Sequence, residues 1–316
     1  MSCYTKEYIE NPNFVGLLQF ETNTTCDGKC TFCNHHIMKR CGTANWSTLL
    51  EVIDTCAPYA QTACPFLMQE PILEPRLISI LDNLKQVNHN INTHIYSNMH
   101  NMTRSKAEEI IDSQLLDTLT VSFYGPTPDL YHKYQPSFNY DRTRANIQQF
   151  MKIRNQKGLT TPYVQMHFIA LPDLLRQYPM FEAEWKDYTD NIGVTVYRTH
   201  TEQEEQASEE WQKQIHGKHA PKRVPCARLW SGFYVLFTGD VVPCSADYNG
   251  DNVLGNIHDC YRPTDIWWGE KAKAFRQKHI DGKTCDIEMC RNCNYWKYEM
   301  PKEWVQYWMD YYAKTN

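Results

Sequence analysis

The chain of 316 residues has no apolar run approaching the eighteen or so residues that a membrane helix requires. It opens MSCYTKEYIENPNF, without the basic and then apolar pattern of a secretory leader, so a cytoplasmic protein with no membrane partner is expected. Positive charge is not in excess. A net charge of −5 excludes a protein that coats nucleic acid. Internal repeats and low-complexity tracts are also lacking, and 42% hydrophobic residues with sixteen prolines fit an ordinary globular enzyme. Cysteine is missing from the whole stretch between Cys64 and Cys226.

That gap matters because cysteine is abundant elsewhere. Of thirteen, six lie from Cys26 to Cys64 and six from Cys226 to Cys293. An odd number in a chain without a leader argues against a disulfide framework and for metal-binding or catalytic thiols.

Between these groups the pattern alternates. Phe14 to Thr22 (FVGLLQFET) reads as a strand, and Ser47 to Tyr59 as a helix with Ser47 at its N-cap. Short apolar runs at Pro65–Met68, His94–Ser97, Leu119–Phe123 and Val164–Ala170 follow. Helical patterns near Arg76–Gln86, Ser105–Ser113 and Arg142–Gln156 separate them, and Ser105 with Glu108 has capping-box spacing. A helix near Leu174–Tyr188 leads to a sixth strand at Gly193–Tyr197. Strands alternating with helices predict βα units on a parallel sheet, an α/β fold.

The acidic stretch Thr201–Glu210 reads as a surface helix or a linker. Past Pro225 the pattern becomes a hairpin, FYVLFTGDVVPC, turning at Gly239-Asp240, and then a helix near Thr264–Lys278. Trp304, Trp308 and Tyr311 share one face of a closing helix. The expected division is a core over 1–200, a linker over 201–224, a small α+β domain over 225–300 and a helix over 301–316.

Cys26-x3-Cys30-x2-Cys33 follows directly on the first strand. Three thiolates can hold a 4Fe–4S cluster with one iron open for chemistry, or a zinc ion completed by His35 or His36. Cys226 and Cys244 flank the hairpin, and Cys290-x2-Cys293 lies beyond it. Four such thiolates suit a zinc ribbon or an iron–sulfur cluster equally.

The motif CDGKCTFC, with Phe32 before the third cysteine, resembles the signature loop of the radical S-adenosylmethionine (SAM) superfamily. Met68-Gln69-Glu70-Pro71 resembles its Gly-Gly-Glu-Pro segment, with Met68 and Gln69 in place of both glycines. Tyr96-Ser97-Asn98-Met99 resembles its Thr-Asn-Gly. Ser122 to Gly125 resembles its Ser-x-Asp-Gly, with Tyr124 at the acidic position. The resemblance implies a partial (β/α)6 barrel that binds a 4Fe–4S cluster and SAM. It also implies reductive cleavage to a 5′-deoxyadenosyl radical, fed by an external donor such as flavodoxin or ferredoxin. Phe32 would pack near the adenine and Glu70 would hold the methionine ammonium. Gln69, Ser97, Asn98 and Ser122 complete the implied SAM site.

At the other end, Cys226-x12-Gly239-x4-Cys244, Leu254-Gly-Asn-Ile257 and Asp265-Ile-Trp267 resemble the SPASM domain in its shortened Twitch form. That implies one auxiliary 4Fe–4S cluster on Cys226, Cys244, Cys290 and Cys293. A cluster with four protein ligands can accept the electron left after hydrogen abstraction and deprotonation, giving a two-electron oxidation. Size and domain plan resemble Twitch-type enzymes of the 2-deoxy-scyllo-inosamine dehydrogenase kind, which oxidise a secondary alcohol on an aminocyclitol. The expected activity is oxidation of a small sugar or aminocyclitol-like molecule, with Arg198 and Asp247 as candidates to steer or deprotonate the hydroxyl. The alternative is a peptide maturase or epimerase with Cys260 or Cys285 as hydrogen donor. About thirteen residues precede the first strand, so no fused peptide-recognition domain is expected. Cys3, Cys41, Cys56 and Cys64 read as small apolar filler.

Overall fold

A computed structural model describes residues 16–196, 223, 225–260, 262–291, 293 and 295–297. Arg198, the acidic stretch 201–210, Cys3 and the closing helix 301–316 lie outside the described residues. No helix among the described residues is long and apolar enough to cross a membrane.

Six strands run parallel: β1 (Leu17–Phe20), β2 (Thr62–Cys64), β3 (Asn92–Ser97), β4 (Thr118–Ser122), β5 (Tyr163–Ala170) and β6 (Asn191–Val196). Three more, β7 (Gly232–Val235), β8 (Asp240–Val242) and β9 (Gly255–Asn256), extend the same sheet beyond β1. The order is β6-β5-β4-β3-β2-β1-β7-β8-β9, with β7 parallel to β1 and the last pairings antiparallel. The α/β reading and the partial barrel hold, and the hairpin turns at Gly239-Asp240 as expected. β1 and β6 are not neighbours in this order, so the barrel is a partial one.

Alternation along each strand gives the sheet two unlike faces. One is apolar: Leu18, Ile95, Leu119, Val121, Val164, Met166 and Phe168 are buried with Leu49, Ile53, Leu81, Ile110, Ile147 and Trp185 of the flanking helices. Each such side chain contributes about 1.5–3 kcal/mol by leaving water. The other face carries Gln19, His94, Tyr96, Thr120, Gln165, His167 and Thr195. In a parallel sheet covered on both sides, near-continuous apolar runs are the rule. This inner face departs from that rule and leaves room for a polar ligand.

Some boundaries differ from the sequence reading. The second strand ends at Cys64, because Pro65 has no N–H for a ladder. Pro65–Gln69 is instead a loop pinned by the Gln69 amide, which accepts from Leu67 N (2.9 Å) and donates to Thr22 Oγ1 (3.0 Å). The first long helix begins at Trp46, so Asn45 rather than Ser47 is its N-cap residue. Thr103, not Ser105, caps the helix Arg104–Ser113, its hydroxyl accepting from Lys106 N.

Candidate active site

The cluster loop leaves β1 and folds back on itself. Gly28 N–H donates to Cys26 Sγ (3.4 Å) and Cys33 N–H to Cys30 O (3.1 Å). A side chain at position 28 would meet Phe138 Cζ at 2.9 Å and Cys26 Sγ at 3.4 Å, so glycine lets the ring and the sulfur both lie close to the backbone. Burial pushes the Cys26 thiol up to about 12 and the Cys30 thiol further still, and neighbouring cysteine charges add to both. Cys26 and Cys30 do not both ionise unaided. A cationic group would make them thiolates, so the donor set fits an iron–sulfur cluster. His35 is engaged elsewhere, its Nε2 donating to Thr24 O (2.8 Å).

The segments implied in SAM binding meet beside this loop. Glu70 is buried and accepts from Asn98 N (2.8 Å) and Ile72 N (3.3 Å). Met99 occupies the left-handed region at φ 61°, a conformation that favours glycine. It is fully buried, and Asn146 Nδ2 bonds its carbonyl (2.9 Å), so the surroundings hold it there. Gly125, at φ 152°, lets the start of the helix Pro128–Tyr134 approach, since a Cβ would lie 2.3 Å from Tyr131 N. Phe32 packs edge-on to Tyr124, centroids 5.1 Å apart. Ser122 O accepts from Gln135 Nε2 (3.0 Å), which holds the end of β4 beneath that pair.

The carboxy-terminal cysteines also gather. Burial, then the charges of Cys244 and Cys293, pushes the Cys290 thiol up, and Cys293 rises to about 11, again mainly through burial. Ala246 N–H donates to Cys244 Sγ (3.5 Å). Cys226 arrives on a segment tied to both partners: Arg223 donates to the carbonyls of Cys290 and Arg291, and Arg228 Nη1 donates to Ser245 Oγ (2.7 Å). This donor set fits a four-thiolate cluster.

Arg40 joins the two regions. It pairs with the buried Glu21, donates to Tyr248 O and lies over the Phe237 ring. Beside it Lys39 N–H donates to Asn249 Oδ1 (2.9 Å). Residues following Cys244 are thereby clamped over the barrel mouth. Beneath lies a cavity of about 460 Å³ lined by Gln19, Phe32, Cys33, Cys64, Met68, His94, Tyr96, His167, Thr195, Arg228, Tyr248 and Tyr295, among others.

Polar side chains from four strands form a connected system along this inner face. His167 Nδ1 bonds Tyr124 Oη (2.8 Å) and His167 Nε2 bonds Thr195 Oγ1 (2.6 Å). His94 Nε2 bonds Thr120 Oγ1 (2.8 Å), and its ring stacks on Tyr96. Burial lowers His94 to about 4, so it is a neutral hydrogen-bonding group at physiological pH.

Three sequence candidates lie elsewhere. Asp247 is buried, and its carboxylate accepts from Asp251 N (3.0 Å) and Asn252 N (2.9 Å), shaping the turn after Cys244. Cys260 packs against the core near Cys56, its thiol donating to Ile257 O (3.4 Å), and Cys285 is exposed. None of the three lines the cavity. Cys64, read as filler, does line it, as do His94 and His167.

Fold and cysteine loops together define a barrel enzyme with two iron–sulfur sites. The family model for the radical SAM superfamily matches residues 20–168, and one for an iron–sulfur cluster-binding domain, SPASM, matches residues 226–294. Residues 20–168 thus form a radical SAM domain and residues 226–294 a SPASM-type domain. A radical SAM domain implies SAM and a 4Fe–4S cluster, and a SPASM domain implies auxiliary iron–sulfur binding. It is similar to the S-adenosyl-L-methionine-dependent 2-deoxy-scyllo-inosamine dehydrogenase of Niallia circulans, 37% identical over 60 residues. That match covers 19% of this chain and only 24% of the relative's length. Among solved structures, BtrN in complex with AdoMet and 2-DOIA matches with a TM-score of 0.58 at 16% identity, covering 89% of this chain and 93% of that one. SuiB of Streptococcus suis bound to S-adenosylmethionine gives 0.61 at 16% identity, covering 84% and 68%.

Proposed function

We propose that the enzyme oxidises a secondary alcohol of a small, polyhydroxylated molecule held inside the barrel. The observation that carries this reading is the set of polar side chains, Gln19, His94, Tyr96, His167 and Thr195, that share one partly open cavity with apolar neighbours such as Leu17, Phe66 and Ile169. When bound, SAM with its cluster supplies hydrogen-atom abstraction, and the auxiliary cluster supplies an outlet for one electron. Cys26, Cys30 and Cys33 hold the first cluster; Cys226, Cys244, Cys290 and Cys293 hold the second. The aminocyclitol chemistry named for the Niallia circulans relative is of the class this cavity suits.

His167 is the proton acceptor in this reading, in place of Arg198 and Asp247. With Nδ1–H donated to Tyr124, Nε2 accepts from Thr195, whose hydroxyl faces the cavity and can pass on a substrate proton. Burial pushes the Tyr124 phenol far above its ordinary value, so it stays a neutral partner. His167→Gln is expected to lower ketone formation at least 100-fold, within the range of a lost general base. Transfer of substrate deuterium into 5′-deoxyadenosine should persist. Mass spectrometry of both products checks this, and equal loss of both would assign His167 to binding alone.

Glu70 holds the SAM ammonium in the same reading. Burial raises it to about 7, against hydrogen bonds from Asn98, Ser97 and Ile72 that lower it. An ammonium beside it favours the carboxylate, so SAM binding releases a proton and tightens as pH rises through about 7. Glu70→Gln should weaken binding by about 1.5–3 kcal/mol and remove that pH slope, with iron content unchanged. Calorimetry at pH 6 and pH 8 checks both; a wild-type pH slope in the variant would remove Glu70 from the SAM site.

The reading itself is tested by incubating anaerobically reconstituted enzyme with SAM, dithionite and either 2-deoxy-scyllo-inosamine or scyllo-inositol. A ketone formed with 5′-deoxyadenosine supports it. Modification of peptides alone would favour the maturase alternative.

A further inference from the structure

Asp27 lies within the cluster loop, directly after Cys26. Its Oδ1 accepts from Asn98 Nδ2 (2.8 Å) and its Oδ2 from Asn101 Nδ2 (2.6 Å). The orientation of both amides is fixed from the other side. Asn98 Oδ1 accepts from His100 N (2.8 Å), and Asn101 Oδ1 accepts from Arg142 Nη2 (2.9 Å). Each amide therefore turns its N–H toward Asp27, and an acceptor is required at both carboxylate oxygens. The cation in this network, Arg142, bonds the far side of Asn101 and not the carboxylate. Asn98 also donates its backbone N–H to Glu70, so one residue ties the cluster loop to the buried glutamate.

Two neutral amides can hold a carboxylate without cancelling its charge, whereas a lysine or arginine in their place would neutralise it. We propose that Asp27 is a positioning residue that keeps an uncompensated negative charge beside the first cluster, lowering its reduction potential and strengthening its hold on cationic SAM. Adding an electron next to a fixed anion is opposed by Coulomb repulsion, and net local charge is one of the factors that set iron–sulfur potentials. Phe138, whose ring stacks on His100 at 4.9 Å, covers the adjoining Gly28 and shields this side of the loop.

The test is a redox titration of the reconstituted holoenzyme, following the first cluster by electron paramagnetic resonance with and without SAM. Asp27→Asn should shift its potential to more positive values and raise the SAM dissociation constant severalfold. Asp27→Glu, which keeps the charge, should stay close to wild type. If Asp27→Asn does not retain its iron, Asn101→Lys decides: it leaves the loop sequence intact, brings an ammonium to Oδ2 and should shift the potential in the same positive direction. An iron-replete Asp27→Asn, or failing that Asn101→Lys, with wild-type potential and SAM affinity overturns the proposal. Equal shifts in Asp27→Asn and Asp27→Glu overturn it too, since charge would not be the cause.

Discussion

Replacing Cys26, Cys30 and Cys33 together with alanine is expected to remove about half of roughly eight bound irons and to abolish 5′-deoxyadenosine formation. The size of the effect follows from where the loop stands. It follows β1, folds closely around Gly28 and gathers three thiols. Without those sulfurs the first cluster has no ligands, and SAM loses the iron on which its cleavage depends. Of the loop, Cys30 and Phe32 pack against the core, and Phe32 with the methyl of the new alanine keeps most of that contact, so the fold should survive, as circular dichroism can verify. Iron analysis and product chromatography give the outcome. Full iron with continued SAM cleavage would contradict the assignment of this site.

Replacing Cys290 and Cys293 with alanine should have an equally large but different consequence. Hydrogen abstraction depends on the first site and should continue, so 5′-deoxyadenosine still appears. The oxidised product should fall to near nothing, because the electron left on the substrate has no outlet. Arg223 reaches this loop through backbone carbonyls, not sulfur, so those contacts can persist in the double variant. Product formation at the wild-type rate would exclude the second cluster from the reaction. It would favour a redox-neutral one, such as epimerisation, in which a thiol quenches the substrate radical. Cys64 then becomes the thiol to replace, since it lines the cavity and Cys260 and Cys285 do not.

The parts of the site that were legible in the sequence are those built from contiguous motifs. Cys26, Cys30 and Cys33 come from one turn, and Glu70 and Asn98 each follow the end of a strand, so chain order alone brings them together. The cavity floor was less visible because its residues come from different strands. His94 and Tyr96, at alternate positions of β3, and His167 of β5 sit in stretches that read as apolar runs, and only the pleat reveals that they share a face. The available signal was a polar residue at every second position of strands expected to be buried on both sides. Asp247 shows the opposite situation: a carboxylate close to Cys244 invites a catalytic role from sequence, whereas the fold gives its oxygens two backbone partners in the turn. Thr62–Cys64 was displaced toward Pro65–Met68 because apolar character outweighed the missing N–H of Pro65.

The central claim is that hydrogen is taken from an alcohol carbon inside the barrel and that the molecule leaves oxidised. Its most direct measurement uses 2-deoxy-scyllo-inosamine and scyllo-inositol carrying deuterium at the carbinol carbons, with SAM, dithionite and reconstituted enzyme. The account predicts one deuterium in 5′-deoxyadenosine for each ketone formed from at least one of the two. Deuterium-free 5′-deoxyadenosine with both compounds unchanged, from a preparation that cleaves SAM, would contradict it.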